Sequence, residues 1–163
     1  MPETPIRSYN DLIDLLVADG VPHQASPAER GALVPTRMNG LEAAIILRWS
    51  PEQGALHVVH TFPGLVPTEA RPAVLRAITL LNHALALPGL SMDVDQGALY
   101  YRSLLPILRA APPLAEDLRR LFSLVARNGA ELLAVVVKVV SGTPPEAAVE
   151  AWLDRQRPRA VEA

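Results

Sequence analysis

The chain has 163 residues, half of them apolar, a formal net charge of −2 and no cysteine, which fits one ordinary domain and excludes disulfides, a thiol nucleophile and cysteine-ligated metal centres. No run of about 18 uncharged apolar residues is present to span a membrane, and Met1-Pro2-Glu3-Thr4-Pro5 lacks the basic start and apolar stretch of an export signal, so the cytoplasm is the expected location. Lys138 is the only lysine, the arginines are scattered and aromatics make up 4%; with neither a basic stripe nor a stacking platform, direct nucleic-acid binding is not expected.

Ser8-Tyr9-Asn10-Asp11 reads as a helix cap with an acid three residues on. Leu12, Leu15 and Leu16 follow at helical spacing, and Asp19-Gly20 supplies a stop, predicting a helix over about 9–19. A polar loop precedes a change to period two. Leu33 to Met38 is a strand with Pro35 at an edge position. Asn39-Gly40 is the strongest two-residue hairpin signal, and Glu42 to Trp49 follows with Ile45, Leu47 and Trp49 on one face. After the Ser50 to Gly54 turn, Leu56 to Phe62 completes a three-stranded meander.

Pro63 and Pro67 interrupt the strand pattern. Thr68 can cap a second helix, which starts near Arg71 because of Pro72 and runs to about Leu87, ended by Pro88-Gly89. Leu90, Met92 and Val94 alternate with polar residues; Asp95-Gln96-Gly97 turns, and Ala98 to Leu104 returns, making a second hairpin. Leu118, Leu121, Phe122, Val125, Leu132, Val136 and Val140 keep one helical phase across Asn128-Gly129. They predict one helix over about 114–141 with Gly129 on its packed face; the rival reading makes the β-branched run Val135 to Val140 a strand. Thr143-Pro144-Pro145-Glu146 is a capping box opening a final helix with Val149, Trp152 and Leu153 on one side. The expected fold is α+β, in the order α-βββ-α-ββ-α-α: one antiparallel sheet with helices mainly on one face. It forms a single domain over residues 1–156, with 157–163 as a flexible tail.

The candidate chemistry is thin. His57 and His60, three apart on a strand, point to opposite faces and cannot share a metal. His23 and His83 have no visible partner. Asp93-Val94-Asp95-Gln96-Gly97 begins like a calcium loop, but the sixth position is Ala98 and the twelfth Leu104, where glycine and a bidentate glutamate are needed. On the helical reading, Lys138 falls on the outer side of its helix. No nucleophile elbow, phosphate loop or dinucleotide fingerprint occurs. The expectation is a non-enzymatic protein without catalytic, cofactor or metal residues.

The second helix is the informative oddity. Its apolar positions cover about 180° of arc, against the ~100° a surface helix needs to sit on a sheet. Cover by the chain's own loops or helices is one explanation; a second subunit or a client is the other. The expected homodimer would use Val74, Ile78, Leu81 and Leu85, leaving clients to other exposed apolar surface, on the sheet face or beside the first helix.

Three segments carry a resemblance: Leu80-Leu81-Asn82-His83-Ala84-Leu85, then Pro88-Gly89-Leu90-Ser91-Met92-Asp93, then Gly97-Ala98-Leu99-Tyr100-Tyr101-Arg102 with Leu104-Leu105-Pro106 after it. Together with Asp11 to Leu16, they resemble the core pattern of the YbjN and type III secretion chaperone-like family, over roughly residues 8 to 141. The resemblance implies a homodimeric, non-enzymatic protein that binds protein segments or acts as a regulator, often in stress responses. It brings no catalytic residues. Mild acidity fits the YbjN-like branch better than the strongly acidic secretion chaperones. The partner is therefore expected to be another protein; the alternative is a sensory domain holding a small ligand in an apolar pocket.

Overall fold

The computed structural model describes residues 4–85, 89–108 and 110–156. Its centre is a six-stranded, wholly antiparallel sheet in the order β1-β2-β3-β4-β6-β5. The strands are β1 (Gln24–Ser26), β2 (Gly31–Met38), β3 (Leu41–Ser50), β4 (Ala55–Leu65), β5 (Leu90–Met92) and β6 (Ala98–Pro106). The helices are α1 (Tyr9–Ala18), α2 (Arg71–Ala84), α3 (Ala115–Val140) and α4 (Pro145–Gln156). The α+β class, the meander, the second hairpin and the four helices stand as expected from the sequence.

Turn chemistry fixes the register. Asn39 and Gly40 both take positive φ, 52° and 82°, as a type I′ turn requires, and Met38 pairs with Leu41 across it. Pro35 lies beyond the last residue of β2 that β1 pairs, Leu33, so its missing N–H falls on an open edge. Ser8 caps α1, its Oγ accepting from Asp11 N at 3.2 Å.

Several details differ from the sequence reading. The polar loop before β2 contains β1, whose Gln-Ala-Ser carries no apolar alternation and which exists only through pairing with Gly31, Ala32 and Leu33. β4 does not stop at Phe62: it runs to Leu65 through a register shift between Thr61 and Leu65, where a bulge accommodates Pro63. Thr68 does not cap α2; Thr68–Ala70 form a 3-10 turn that leads into the helix at Arg71. α2 ends at Ala84, with Leu85 already extended, short of the expected Leu87, and β5 stops at Met92, leaving Val94 exposed in the turn held by Asp93 rather than in the strand alternation; Pro88 and the tail 157–163 lie outside the described residues.

The helices share one core with a single face of the sheet. α3 packs on β4 and β6, α2 on β5, and α4 lies over α2 and α3. Leu12 and Leu16 of α1 join the same cluster, and Arg119 of α3 meets Asp19 just beyond α1 at 2.7 Å. α3 is one continuous helix, so Val135 to Val140 are helical, and Lys138 is exposed on its outer side. Gly129 sits on its packed face: a Cβ there would lie 2.7 Å from His60 Nδ1 and 3.0 Å from Met38 Cε. The absent side chain makes room for a ring that projects from the sheet.

Candidate functional site

Strand alternation divides the sheet into two surfaces. Toward the helices point Ile45, Leu47 and Trp49 of β3 with Leu56, Val58, His60 and Phe62 of β4, all buried. Among the described residues no helix covers the opposite surface. There Leu33 is 38% exposed, Ile46 40% and Leu104 50%.

Register arranges this open face in rows. Leu33, Ile46, Val59 and Arg102 stand side by side across four strands. On one side of them run Pro35, Ala44, Thr61, Tyr100 and Ser91. On the other run Gly31, Arg48, His57 and Leu104. An apolar strip is thus flanked by guanidinium groups. Arg102 lies over the Tyr100 ring, 5.4 Å from its centroid, a cation–π geometry. The side chains of Arg48 and Arg37 have no hydrogen bond or ion pair to a described residue. The one acid that the strands place on this face, Glu42, pairs in register with Arg37. With Arg37, Arg48 and Arg102 against Glu42, the face carries a charge opposite in sign to the net −2 of the chain.

The other residues singled out from the sequence are structural. His57 lies on the open face and donates to Gln53 Oε1 at 2.8 Å; His60, on the opposite face, is 2% exposed. Since the Val125 carbonyl 3.3 Å away can only accept, Nδ1 of His60 carries the proton and Nε2 accepts from Thr36 Oγ1, also at 3.3 Å. Burial among apolar neighbours pushes the imidazole pKa below its ordinary value, against a smaller opposing effect of the Val125 carbonyl. His23 donates to the Val21 carbonyl. The calcium-like stretch is a hairpin turn, with Asp93 Oδ1 accepting from Asp95 N and Gln96 N. No group of three metal-ligating side chains occurs among the described residues.

The residues that carried the family resemblance are also packing and turn residues. Asn82 Oδ1 accepts from Gly89 N and Leu90 N, and its amide donates to the Leu90 carbonyl, which ties the end of α2 to the start of β5. A Cβ on Gly97 would lie 2.4 Å from the Val66 carbonyl oxygen. Tyr101 is fully buried.

The α2 residues assigned to a dimer contact are placed as follows. Val74 and Leu81 are 0% exposed and Ile78 is 7%, within one chain, beneath α3 and α4; Leu85 is half-buried at the helix end. The centre of the wide apolar arc is therefore covered within the chain, while Ala73, Leu80 and Leu85 at its margins stay half-buried and Ala84 exposed. What sequence reading did not single out are Leu33, Ile46 and Val59, each out of phase with the core-facing alternation. That mismatch was the available signal, and register makes it a patch.

The family model that matches residues 8–137 bears the description "Putative bacterial sensory transduction regulator", and comparison with curated proteins finds no match. Since that match spans most of the chain, including every strand and most of α3, the protein belongs to the YbjN family.

Proposed function

We propose that this chain is a non-catalytic regulatory domain that works by binding another protein, as an adaptor or in a chaperone-like manner, and that the open sheet face is its contact surface. One observation carries this reading: large apolar side chains, Leu33, Ile46 and Leu104, stand wet and adjacent to arginines on a sheet face that no described helix covers. A sheet is normally covered where its side chains are apolar, and a contiguous uncovered patch marks an interaction site. The regulatory description of the family agrees with this reading.

Site-specific photo-crosslinking tests it. A benzophenone amino acid at Ile46 is expected to trap one discrete protein in cells, and the same group at exposed Glu150 of α4 is not. Equal, diffuse labelling at both sites would remove the open face as a specific surface. Light scattering tests the homodimer, for which Val74, Ile78 and Leu81 offer little free surface because they are buried within the chain; a monomer at micromolar concentration would end that idea.

The small-ligand alternative has its best apolar cavity between the end of β4 and α3. That slot, about 170 Å³, is lined among others by Leu65, Val66, Leu99, Leu133, Val136 and Val140. Ligand pockets usually measure ~300–1,000 Å³, so size favours the protein-binding reading. A larger hollow of about 510 Å³, between Pro5, Leu105, Leu108 and Pro112, is an open surface groove.

A further inference from the structure

Charge and shape together indicate what kind of partner fits the open face, given the binding role proposed above. The strands place Arg37, Arg48 and Arg102 there against Glu42 alone. The other described acids lie on helices and in turns, among them Asp11 and Asp14 on α1, Glu29 and Glu52 in the short turns after β1 and β3, Asp93 and Asp95 in the β5–β6 turn, Glu116 and Asp117 on α3, and Glu146 and Glu150 on α4. The open face is thus locally cationic on a chain of net negative charge. Arg48 and Arg102 stand diagonally, two strands and one row apart, about 12 Å from one another by strand spacing. The apolar row Leu33, Ile46 and Val59 ends at Arg102 and has Arg48 in the row beside it.

We propose that this face docks an acidic amphipathic helix of another protein, with its apolar stripe on Leu33, Ile46 and Val59 and its carboxylates on Arg48 and Arg102. The opposite face of the same sheet already takes a helix: α3 packs on β4 and β6. A helix is one of the two elements that a sheet face accepts, and it is the one this sheet already takes on its other side. Arginine suits the polar half of the contact because its planar fork binds carboxylate in bidentate fashion. A second copy of this chain is a poorer occupant, since face-to-face pairing would set three arginines against three. Nucleic acid would satisfy the arginines but has no side chains to cover Leu33, Ile46 and Leu104.

Two synthetic helical peptides on the full chain provide the test. One has a leucine stripe flanked by glutamates; its twin has lysine at each glutamate position. Fluorescence anisotropy should show the acidic peptide binding at least ten-fold tighter than its twin, with affinity falling as salt rises. Arg48→Glu with Arg102→Glu should reverse that preference, and Ile46→Asp should abolish binding of both. Because the peptide pair alone tests the wild type, misfolding of a variant cannot mask the result. Equal binding of the two peptides, both lost in Ile46→Asp, would overturn the acidic partner while leaving the open face as a contact surface. Binding of neither peptide would overturn the proposed partner too, while cross-linking at Ile46 would still report on the surface itself. Displacement of the acidic peptide by equimolar duplex DNA would make the face a general polyanion site and overturn the proposal. A dimer in light scattering that Ile46→Asp converts to monomer would make a second copy the occupant and overturn it as well.

Discussion

Neighbouring residues on β3, Ile46 and Leu47, are of equal size and nearly equal hydrophobicity, yet one is 40% exposed and the other 0%. On β4, His57 stands on the open face holding Gln53, while His60 is sealed beneath α3. The same alternation of one backbone thus serves two purposes. On the closed face every polar atom must be satisfied by the protein, and His60 has both nitrogens partnered. On the open face the side chains of Arg37 and Arg48 have no hydrogen-bond or ion-pair partner among the described residues, and Arg102 rests on Tyr100, because water can solvate these guanidinium groups. Apolarity alone therefore does not identify the core of this sheet; what lies over each residue does.

The largest expected effect separates the faces by stability. Leu47→Ala should cost about 2–5 kcal/mol, the lost burial plus the cavity, whereas Ile46→Ala should cost under about 1 kcal/mol, as at other surface positions. Urea denaturation of both variants checks this. Equal losses would mean that the open face is covered in solution, and concentration dependence of the Ile46→Ala midpoint would identify the cover as another chain.

A smaller effect probes how closely α3 sits on the sheet. In Gly129→Ala the new methyl meets His60 Nδ1 at 2.7 Å. Overpacking costs about 1–3 kcal/mol, and the gain in helix propensity returns about 1 kcal/mol, for a net loss of up to about 2. A more stable variant would show that α3 can lift away at no cost.

The gentlest probe is pH. The folded chain holds the His60 pKa below its ordinary value because burial disfavours the imidazolium. Between that lowered value and about 6.5, where an unfolded histidine titrates, the unfolded chain binds more protons. The contribution of neutral His60 is therefore complete above pH 6.5 and is lost as the pH falls through the lowered value. The difference in unfolding free energy between wild type and His60→Gln should narrow from pH 8 to pH 5. A constant difference would show that His60 is not sealed from water.

Much of the closed face was legible from sequence because its determinants are local. Asn39-Gly40 dictates a turn by the φ angles it tolerates, and the phase held across Gly129 reports a continuous helix with a contact too close for a side chain. β1 was not legible, since Gln24, Ala25 and Ser26 carry no strand pattern and pair only because β2 is beside them. The bulge at Pro63 was hidden for a related reason: proline reads as a stop unless its unpaired position in the tertiary structure is known. The apolar arc of α2 was legible as an arc, but whether α4 or a partner covers it depends on a helix some 70 residues further on, as the Arg76–Glu146 ion pair across α2 and α4 illustrates. The open face was the least legible. Leu33, Ile46 and Val59 look like noise in three separate strands, and only the register turns them into a strip.

The seam between β4 and β6 has a consequence for how the chain assembles. Across the Asn39-Gly40 turn, Met38 and Leu41 meet after three residues. Across the seam, Leu65 must find Ala98 and Ala55 must find Pro106, with α2 and β5 between them in the chain. At about 0.6 kcal/mol per doubling of loop length, closing the tighter of these long loops costs on the order of 2 kcal/mol more entropy than closing the turn. The meander can thus assemble from nearby pieces, while zipping the second hairpin onto it is the slow search. Until that search ends, β4 offers a bare edge of unpaired amides and carbonyls.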